Sequence, residues 1–569
     1  FKTCHVMPTN NVTSFEVFSK HFINNFFYDQ SYKQSFTEDG FKRLRTYLGN
    51  VSKGNDRIFT APFAKGDSMD KILKEWNETL VSISDKWPSL YKFEEDLAKK
   101  VGPLSIQKPL RERMDDIAHY YYDILLSSTP VDPRAIKAVS TEWARSRGLR
   151  LRNQSNTVEI MKKSTNSGSP FFTKRRNVVQ DTVPCRVVNS LNTTDVWQDL
   201  PRNMEFDAPA VIGWRGQEGG PNEEDVKQRV VWMFPFAVNV AELQVYQPLI
   251  EAAQRLNLVP AWVSMDAVDM EVTKLFDTKS SDDLVVCTDF SRFDQHFNVH
   301  MQDAAKTILL SILERSSATA DWMKLVFPIK YDIPLAWETV SEKYNDLEVS
   351  NVTYFQGRHG MASGSGGTNA DETLVHRALQ YEAAIHAGTK LNPHSMCLGD
   401  DGILTYPGIT VDDVVKAYKS HGQECNLDKQ YASTQDCVYL RRWHHRLYKM
   451  DGVCVGVYST NRALGRLRYL ERFMDPEYWS PEMVALRQLS IIENCKYHPL
   501  REQFAQFCMK RDKYRLGIDI PGFLDNLTKL AQESIDHMPD FLGYTKTLQG
   551  FKPSGISEWW IVKYLKSQR

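Results

Sequence analysis

Three aspartates carry the strongest chemical signal in this 569-residue sequence. Asp289 closes the apolar, β-branched run Leu284-Val-Val-Cys-Thr288, which reads as a buried strand, and a strand end is a rigid mount for a metal ligand. Asp400 and Asp401 lie between two apolar runs in Met396-Cys-Leu-Gly-Asp-Asp-Gly-Ile-Leu404, the composition of a tight hairpin. An Asp pair in a turn is, by itself, ordinary backbone chemistry. Three carboxylates gathered in space are not, because they repel one another unless hard cations such as Mg²⁺ neutralise them. Two such ions, about 3.5 to 4 Å apart, activate a 3′-hydroxyl and stabilise the leaving pyrophosphate of an in-line displacement. The chemistry expected of Asp289, Asp400 and Asp401 is therefore nucleotidyl transfer with two Mg²⁺ ions, for which Mn²⁺ can substitute.

Other residues suit the same substrate class. Ser363-Gly364-Ser-Gly-Gly-Thr368-Asn369-Ala-Asp-Glu372 is a small-residue loop running into a helical pattern. It lacks the Gly-Lys-Ser/Thr of a P-loop, so its weight comes from its place between the other two pieces. Lys227-Gln-Arg229-Val-Val-Trp232 reads as a strand, entered from the Gly-rich, acidic stretch 216–225. A basic segment spans 144–176, with Arg145, Arg147, Arg150, Arg152, Lys162, Lys163, Lys174, Arg175 and Arg176 interleaved with small polar residues. Such a run suits a phosphate backbone as well as a plain solvated face.

These residues need a large scaffold. A hydrophobic content of 42% supports one, organised at ordinary domain sizes into about three or four units. Lys plus Arg number 70 against 71 Asp plus Glu, a net charge of −1, so a nucleic-acid site has to be a local basic channel in a nearly neutral protein. Nine cysteines without a Cys-x-x-Cys pair read as free thiols of a reducing compartment. Neither His421 with Cys425 nor His394 with Cys397 makes a four-ligand zinc site. Val230–Ile250 is interrupted by Pro235, Asn239, Glu242 and Pro248 and is not a membrane span. No export signal is expected, and the Asn-x-Ser/Thr triplets at Asn11, Asn50, Asn77 and Asn153 then read as chance.

Amphipathic patterns predict helices over 15–27, 69–83 and 111–126. Strands and helices alternate from 280 to 450, and helical patterns dominate afterwards, over 462–473, 481–494, 522–537 and 558–565. Arg446–Tyr458 alternates around Asp451-Gly452 and predicts a hairpin. This hairpin, or the tail with Trp559 and Trp560, is a candidate for narrowing a product exit; packing is the plainer reading of both.

The order of strand-Asp, Ser-Gly loop with helix, then Gly-Asp-Asp hairpin resembles the viral RNA-dependent RNA polymerases over about residues 165 to 445. Asp289 with Asp294 is similar to that family's motif A, Ser363-Gly364 with Thr368 to motif B, and Gly399-Asp400-Asp401 to motif C. The combination Asp-Phe-Ser-Arg-Phe-Asp, Ser-Gly-Ser-Gly-Gly-Thr-Asn and Gly-Asp-Asp-Gly resembles most the polymerases of small segmented double-stranded RNA viruses, the picobirnaviruses in particular. The resemblance implies an α+β, right-handed polymerase fold of fingers, a palm with an antiparallel sheet, and a mainly helical thumb. Implied boundaries are 1–100 for an N-terminal extension bridging fingers and thumb, 101–280 for fingers with 301–360 partly inserted, 281–300 and 361–450 for palm, and 451–569 for thumb and tail.

The same resemblance implies roles for further residues. Ser167, Gly168 and Pro170 are similar to motif G at the template entrance. Lys227 and Arg229 resemble the motif F cations that neutralise the incoming triphosphate, with Arg215 joining them. Lys429 resembles the motif D lysine proposed to protonate pyrophosphate. Arg441 and Arg442 fall in a primer-gripping motif E, and Gly364 lies against template or primer. RNA template, nascent RNA and ribonucleoside triphosphates are the implied partners, with viral capsid protein as a further one and no membrane. The implied location is the virion interior and host cytoplasm.

Asp294 is a hydrogen-bond acceptor where reverse transcriptases carry a blocking aromatic. A site built to bond a hydroxyl rejects substrates lacking it, so ribonucleotides are expected, although Asp294 could instead simply cap the following helix. Family members place Asn four residues after the motif B Thr; here that position is Glu372, while Asn369 follows Thr368 directly. Asn369 is expected to take the role, since an amide can donate to Asp294 and accept from a hydroxyl, whereas Glu372 adds like charge. A DNA-making reverse transcriptase is disfavoured by Asp294 and by Gly-Asp-Asp. A non-catalytic RNA-binding protein is disfavoured by three carboxylates that, without metals, only destabilise their surroundings.

Overall fold

The apolar run before Asp289 forms the strand Val285–Thr288, buried along its whole length. It lies inside a four-stranded antiparallel sheet in the order Met396–Leu398, Asp401–Leu404, Val285–Thr288, Tyr431–Ser433. Both neighbours of this strand are therefore chemistry-bearing: one continues from the Gly-Asp-Asp turn, the other from the turn at Lys429. Helices Val299–Ile312, Thr368–His386 and Val411–Lys419 pack together to cover the sheet. The computed structural model describes residues 2–6, 38–189, 205–207, 209–338, 352–355, 357–534 and 553–569.

A second sheet runs Lys227–Met233, Ala210–Gln217, Leu335–Glu338, Val352–Phe355. It shares one hydrophobic core with the first sheet, and Leu44 and Leu48 of helix Glu38–Lys53 enter the same core. A separate core gathers Trp76, Leu80 and Leu90 with the helices Thr460–Arg468, Pro481–Glu493, Arg501–Lys510 and Trp560–Gln568. Residues 38–53 thus pack with the sheets, while 69–98 pack with the C-terminal helices. A three-stranded sheet, Asp436–Tyr439, Arg442–His445, Val457–Tyr458, lies between the two cores in sequence and feeds Trp443 and Val457 to the second.

The N-terminal helix Pro88–Ala98 is fastened to the C-terminal helices by one carboxylate. Glu94, fully buried, accepts from Ser459 Oγ, Thr460 Oγ1, the backbone N–H groups of Thr460 (3.0 Å) and Asn461 (3.3 Å), and His498 Nε2 (3.0 Å). It caps helix Thr460–Arg468 from a segment more than 360 residues away. Replacing Glu94 by Ala strands these donors and the histidine in a dry interior, so a loss of about 3 to 5 kcal/mol is expected in denaturant unfolding. A change below 1 kcal/mol, on the scale of about RT, would show the cap to be dispensable.

Several expected elements differ. The pattern at 462–473 is helical only to Arg468, because Tyr469–Leu470 leaves the helix to pair with Phe59–Thr60. Of the expected 446–458 hairpin only the tip forms: Met450 and Val453 exchange backbone hydrogen bonds (2.9 and 3.0 Å) across Asp451 and Gly452, whose φ are 50° and 79°, while Val457–Tyr458 pairs instead with Arg442–Trp443. The 522–537 helix starts at Leu527 and is described to Ser534, and the expected helix at 15–27 lies outside the described residues. Trp559 and Trp560 are both half-buried, Trp560 stacking on Tyr564. His421 and His394 face the carboxylates of Glu382 and Glu271, and the eight cysteines from Cys185 to Cys508 are buried free thiols. Among the described residues no helix is long and apolar enough to cross a membrane.

Candidate active site

Register brings the aspartates together. Gly402 pairs with Thr288 across antiparallel strands, so one step further Asp401 stands opposite Asp289, and Asp400 tops the turn between. The turn is pinned from beneath by helix Thr368–His386: Thr373 Oγ1 accepts from Gly399 N–H (2.9 Å), and His376 Nδ1 donates to Gly399 O (2.8 Å). Burial pushes His376 down to about 4, keeping it a neutral donor. Gly399 has φ of 57°, and a Cβ on Gly402 would meet the His376 ring at 2.7 Å, so both glycines of Gly-Asp-Asp-Gly are structural necessities.

The carboxylates feel one another. Asp400 is reachable by solvent, yet protein closes around it on most sides. That loss of bulk water, with Asp294 and Asp289 nearby, pushes its carboxyl up to about 6. Burial and Asp400 push Asp401 up to about 7. Asp401 Oδ2 also accepts from Leu440 N–H at 2.8 Å, tying the turn to the left-handed residues Leu440 and Arg441 (φ 53° and 63°). Asp289 is exposed, and its backbone is clamped by Gln430, which accepts from its N–H (2.7 Å) and donates to its C=O (2.9 Å). The exposed Lys429 is carried beside it on the turn Leu427–Lys429.

Lys227 and Arg229 are exposed on the second sheet, and strand register sets Arg215 directly across from Arg229. Arg229 lies within electrostatic reach of Asp400 and Glu372, so this face looks onto the carboxylates. Arg215 is exposed too, but is drawn 3.5 Å from Glu471. Beneath the strand, Gly364 lies so close to Trp232 that a Cβ would fall 1.5 Å from its carbonyl oxygen. Ser363 Oγ donates to Val230 O (3.4 Å) and Thr368 Oγ1 to Ala362 O (3.2 Å), so both shape the loop.

The structure corrects three expectations. Glu372, not Asn369, is set against Asp294; burial and Asp294 hold its carboxyl well above the usual range, so it stays protonated and adds no like charge. Asn369 is exposed, its Oδ1 accepting from Trp262 Nε1 at 2.9 Å and its Nδ2 lying 3.6 Å from where a Cβ on Gly399 would sit, beside the Gly-Asp-Asp turn. Ser167, Gly168 and Pro170 are buried: Ser167 closes its own loop through Thr173 and Phe236, leaving the exposed surface of this loop to neighbours such as Asn166 and Lys174. Arg442 is turned inward, donating to Asp269 at 2.7 and 3.0 Å and to Gly456 O at 3.2 Å, while Arg441 stays exposed. Arg442→Ala is expected to unfold the protein more easily by about 3 kcal/mol or more, since it leaves a buried carboxylate unpaired. RNA affinity per folded molecule, read by fluorescence anisotropy, should stay unchanged; a selective loss of affinity would restore the RNA role.

Sequence reading also passed over Gln430, Thr373, His376 and Trp262. None carries a local motif, because each acts on a partner distant in sequence.

A family model for viral RNA-dependent RNA polymerase matches residues 141–454. A potential RNA-dependent RNA polymerase of human picobirnavirus is 57% identical over 532 residues, covering 92% of this chain and 97% of that protein. The crystal structure of the RNA-dependent RNA polymerase of a human picobirnavirus matches with a TM-score of 0.86 at 54% identity, over 95% of this chain and 99% of that one. An insertion-loop deletion mutant of such an enzyme matches at 0.84 and 53%, with the same coverage. The chain therefore belongs to the viral RNA-dependent RNA polymerases, alongside those of picobirnaviruses, and is a nucleotidyltransferase that makes RNA on an RNA template.

Proposed function

We propose that the chain replicates and transcribes a viral genome, with Asp289, Asp400 and Asp401 holding two divalent ions, Mg²⁺ with Mn²⁺ as substitute. The observation that carries this is the gathering of negative charge at the strand ends of one sheet: Asp400 held up to about 6 with Asp289 and Asp294 beside it, only partly offset by the exposed Arg229. A carboxylate cluster of this kind fits hard cations, which when bound supply charge neutralisation for the attacking 3′-oxygen and the departing pyrophosphate. Lys227 and Arg229 bind the triphosphate. Asp294, accepting a hydrogen bond from the protonated Glu372, keeps a second oxygen free for the ribose 2′-hydroxyl. Lys429 protonates the pyrophosphate as it leaves.

In this reading the sheet of aspartates is the palm, the sheet of Lys227 and Arg229 belongs to the fingers, the C-terminal helices are the thumb, and residues 38–98 bridge the last two. Capsid protein as partner, and the virion interior and host cytoplasm as location, follow from the kinship with picobirnavirus enzymes.

The test is incorporation of labelled ribonucleotides and, separately, deoxyribonucleotides on a defined RNA template with Mg²⁺. Ribonucleotides are expected to be preferred by about a hundredfold or more, falling at least about tenfold in Asp294→Ala, because that site bonds the hydroxyl. Equal use of both sugars, or no dependence on template, would sink the reading.

A further inference from the structure

The Ser363–Gly367 loop does not rest on the aspartate sheet. It lies along one face of helix Phe236–Leu256, where Asn239, Glu242 and Tyr246 follow one another at helical spacing. Glu242 is fully buried, and its carboxylate is aimed at the loop: it accepts from Ser365 Oγ, from Gly366 N–H at 3.1 Å and from Asn239 Nδ2 at 3.2 Å. Asn239 Nδ2 also donates to Gly364 O at 3.3 Å, and Ser365 Oγ in turn accepts from Gly367 N–H at 3.0 Å. Four consecutive loop residues, 364–367, are thus held by two side chains and one hydroxyl.

The clasp is built to a close fit. A Cβ on Gly366 would come within 3.1 Å of Leu243, and one on Gly367 within 2.4 Å of the Tyr246 ring. Underneath, Lys330, fully buried, pairs with Asp371 at 3.0 Å, and Asp371 accepts from Tyr246 (2.7 Å) and Tyr331 (2.6 Å), fixing the first turn of the helix that the loop feeds. On its other side Asn239 Oδ1 accepts from Arg175 Nη2 at 2.8 Å; Arg175 belongs to the basic segment, donating to Thr165 O and Lys162 O. A buried carboxylate that takes two of its three donors from one loop is costly to keep unless the loop's shape matters.

We propose that Glu242, with Asn239, is a positioning residue for nucleotide selection: it holds the Ser363–Gly367 loop in the shape that presents Ser363 and Thr368 to the incoming nucleotide. The proposal rests on the polymerase reading above. Neither residue touches substrate; both act through the loop. Losing the clasp lets the loop sample other shapes, so nucleotide binding weakens more than the chemical step.

The full chain is assayed for single-nucleotide addition on an RNA primer–template. Glu242→Ala and Ser365→Ala are each expected to raise KM for the templated ribonucleotide about tenfold while kcat falls less than about threefold. Glu242→Gln still accepts from Gly366 N–H and should stay within about threefold of wild type, and the double alanine variant should lose less than the product of the two single losses, because both remove the Ser365–Glu242 hydrogen bond. Ser365→Ala deletes a single hydroxyl and keeps the test decisive if Glu242→Ala does not fold. Unchanged KM in the folded alanine variants, or a loss confined to the fraction of folded enzyme, overturns the proposal. Amide exchange supplies an independent readout: Gly366 and Gly367 should exchange about tenfold faster in Ser365→Ala, and equal exchange would remove the clasp. That readout holds even for a protein that makes no RNA, an outcome that would defeat the polymerase reading instead.

Discussion

Replacing Asp400 by Asn is expected to lower ribonucleotide incorporation by about a thousandfold or more, while the metal-free protein becomes more stable at pH 8. The two effects share a cause. Asn keeps the size and the turn but removes a charge that the ions require and the bare site resists. The folded carboxyl is raised from 3.8 to about 6 by burial and by Asp294 and Asp289. A raised carboxyl costs the folded state stability as pH climbs from the unfolded value through the folded one, and the cost is complete above it. Asn relieves that cost at pH 8, and has almost none to relieve near pH 3, below both values, where both states are largely protonated. Thermal unfolding without divalent ions should therefore show Asn above wild type at pH 8 and level with it near pH 3. Adding Mg²⁺ should raise the melting temperature of wild type more than that of the variant. Retained synthesis in Asp400→Asn would dismiss the metal role; a lower melting temperature at pH 8 would dismiss the electrostatic account.

The second large effect comes from a single methyl group. Gly364→Ala would place Cβ 1.5 Å from Trp232 O and 3.3 Å from the Phe234 ring. Neither the strand Lys227–Met233, paired along its length with Ala210–Gln217, nor the clasped loop can yield that distance locally. Either the loop or the strand bearing Lys227 and Arg229 must be displaced, and overpacking of this severity costs about 3 kcal/mol or more. Synthesis is expected to fall about a hundredfold or more, since a displacement near 1 Å disrupts alignment of reacting groups. Gly388→Ala is the matched control. Its φ of 72° makes Ala strained, but no atom lies within 4 Å of the added Cβ. A cost of about 1 kcal/mol with activity kept is expected there. Equal activity in the two variants, assayed side by side, would show that the Gly364 approach is not needed.

Much of this was legible in the residues. A β-branched run ending in Asp289 and an apolar hairpin around Gly-Asp-Asp-Gly are local patterns, and each folded as its pattern demands. Helix 460–468 ran short of the expected 473 because Tyr469 and Leu470 were claimed by a strand from residues 59–60, a partner no local window contains. The same reason explains Arg442. Its cation suggests RNA, but Asp269, far away in the chain, takes the guanidinium into the interior.

What the sequence determined by itself was the set of groups: three aspartates suited to hard cations, a further acceptor at Asp294, the cations Lys227 and Arg229, and a small-residue loop, all encoded by side-chain type and near-neighbour spacing. What only the tertiary structure decided was which of these groups face one another. Asn369 and Glu372 lie three residues apart on one helix, and chemical type favoured the amide. Packing instead gave the amide to Trp262 and set the acid, with its proton, against Asp294. The physical reason is that a carboxyl's charge is not fixed by its identity. Burial and a like-charged neighbour set it, and both are properties of the assembled fold.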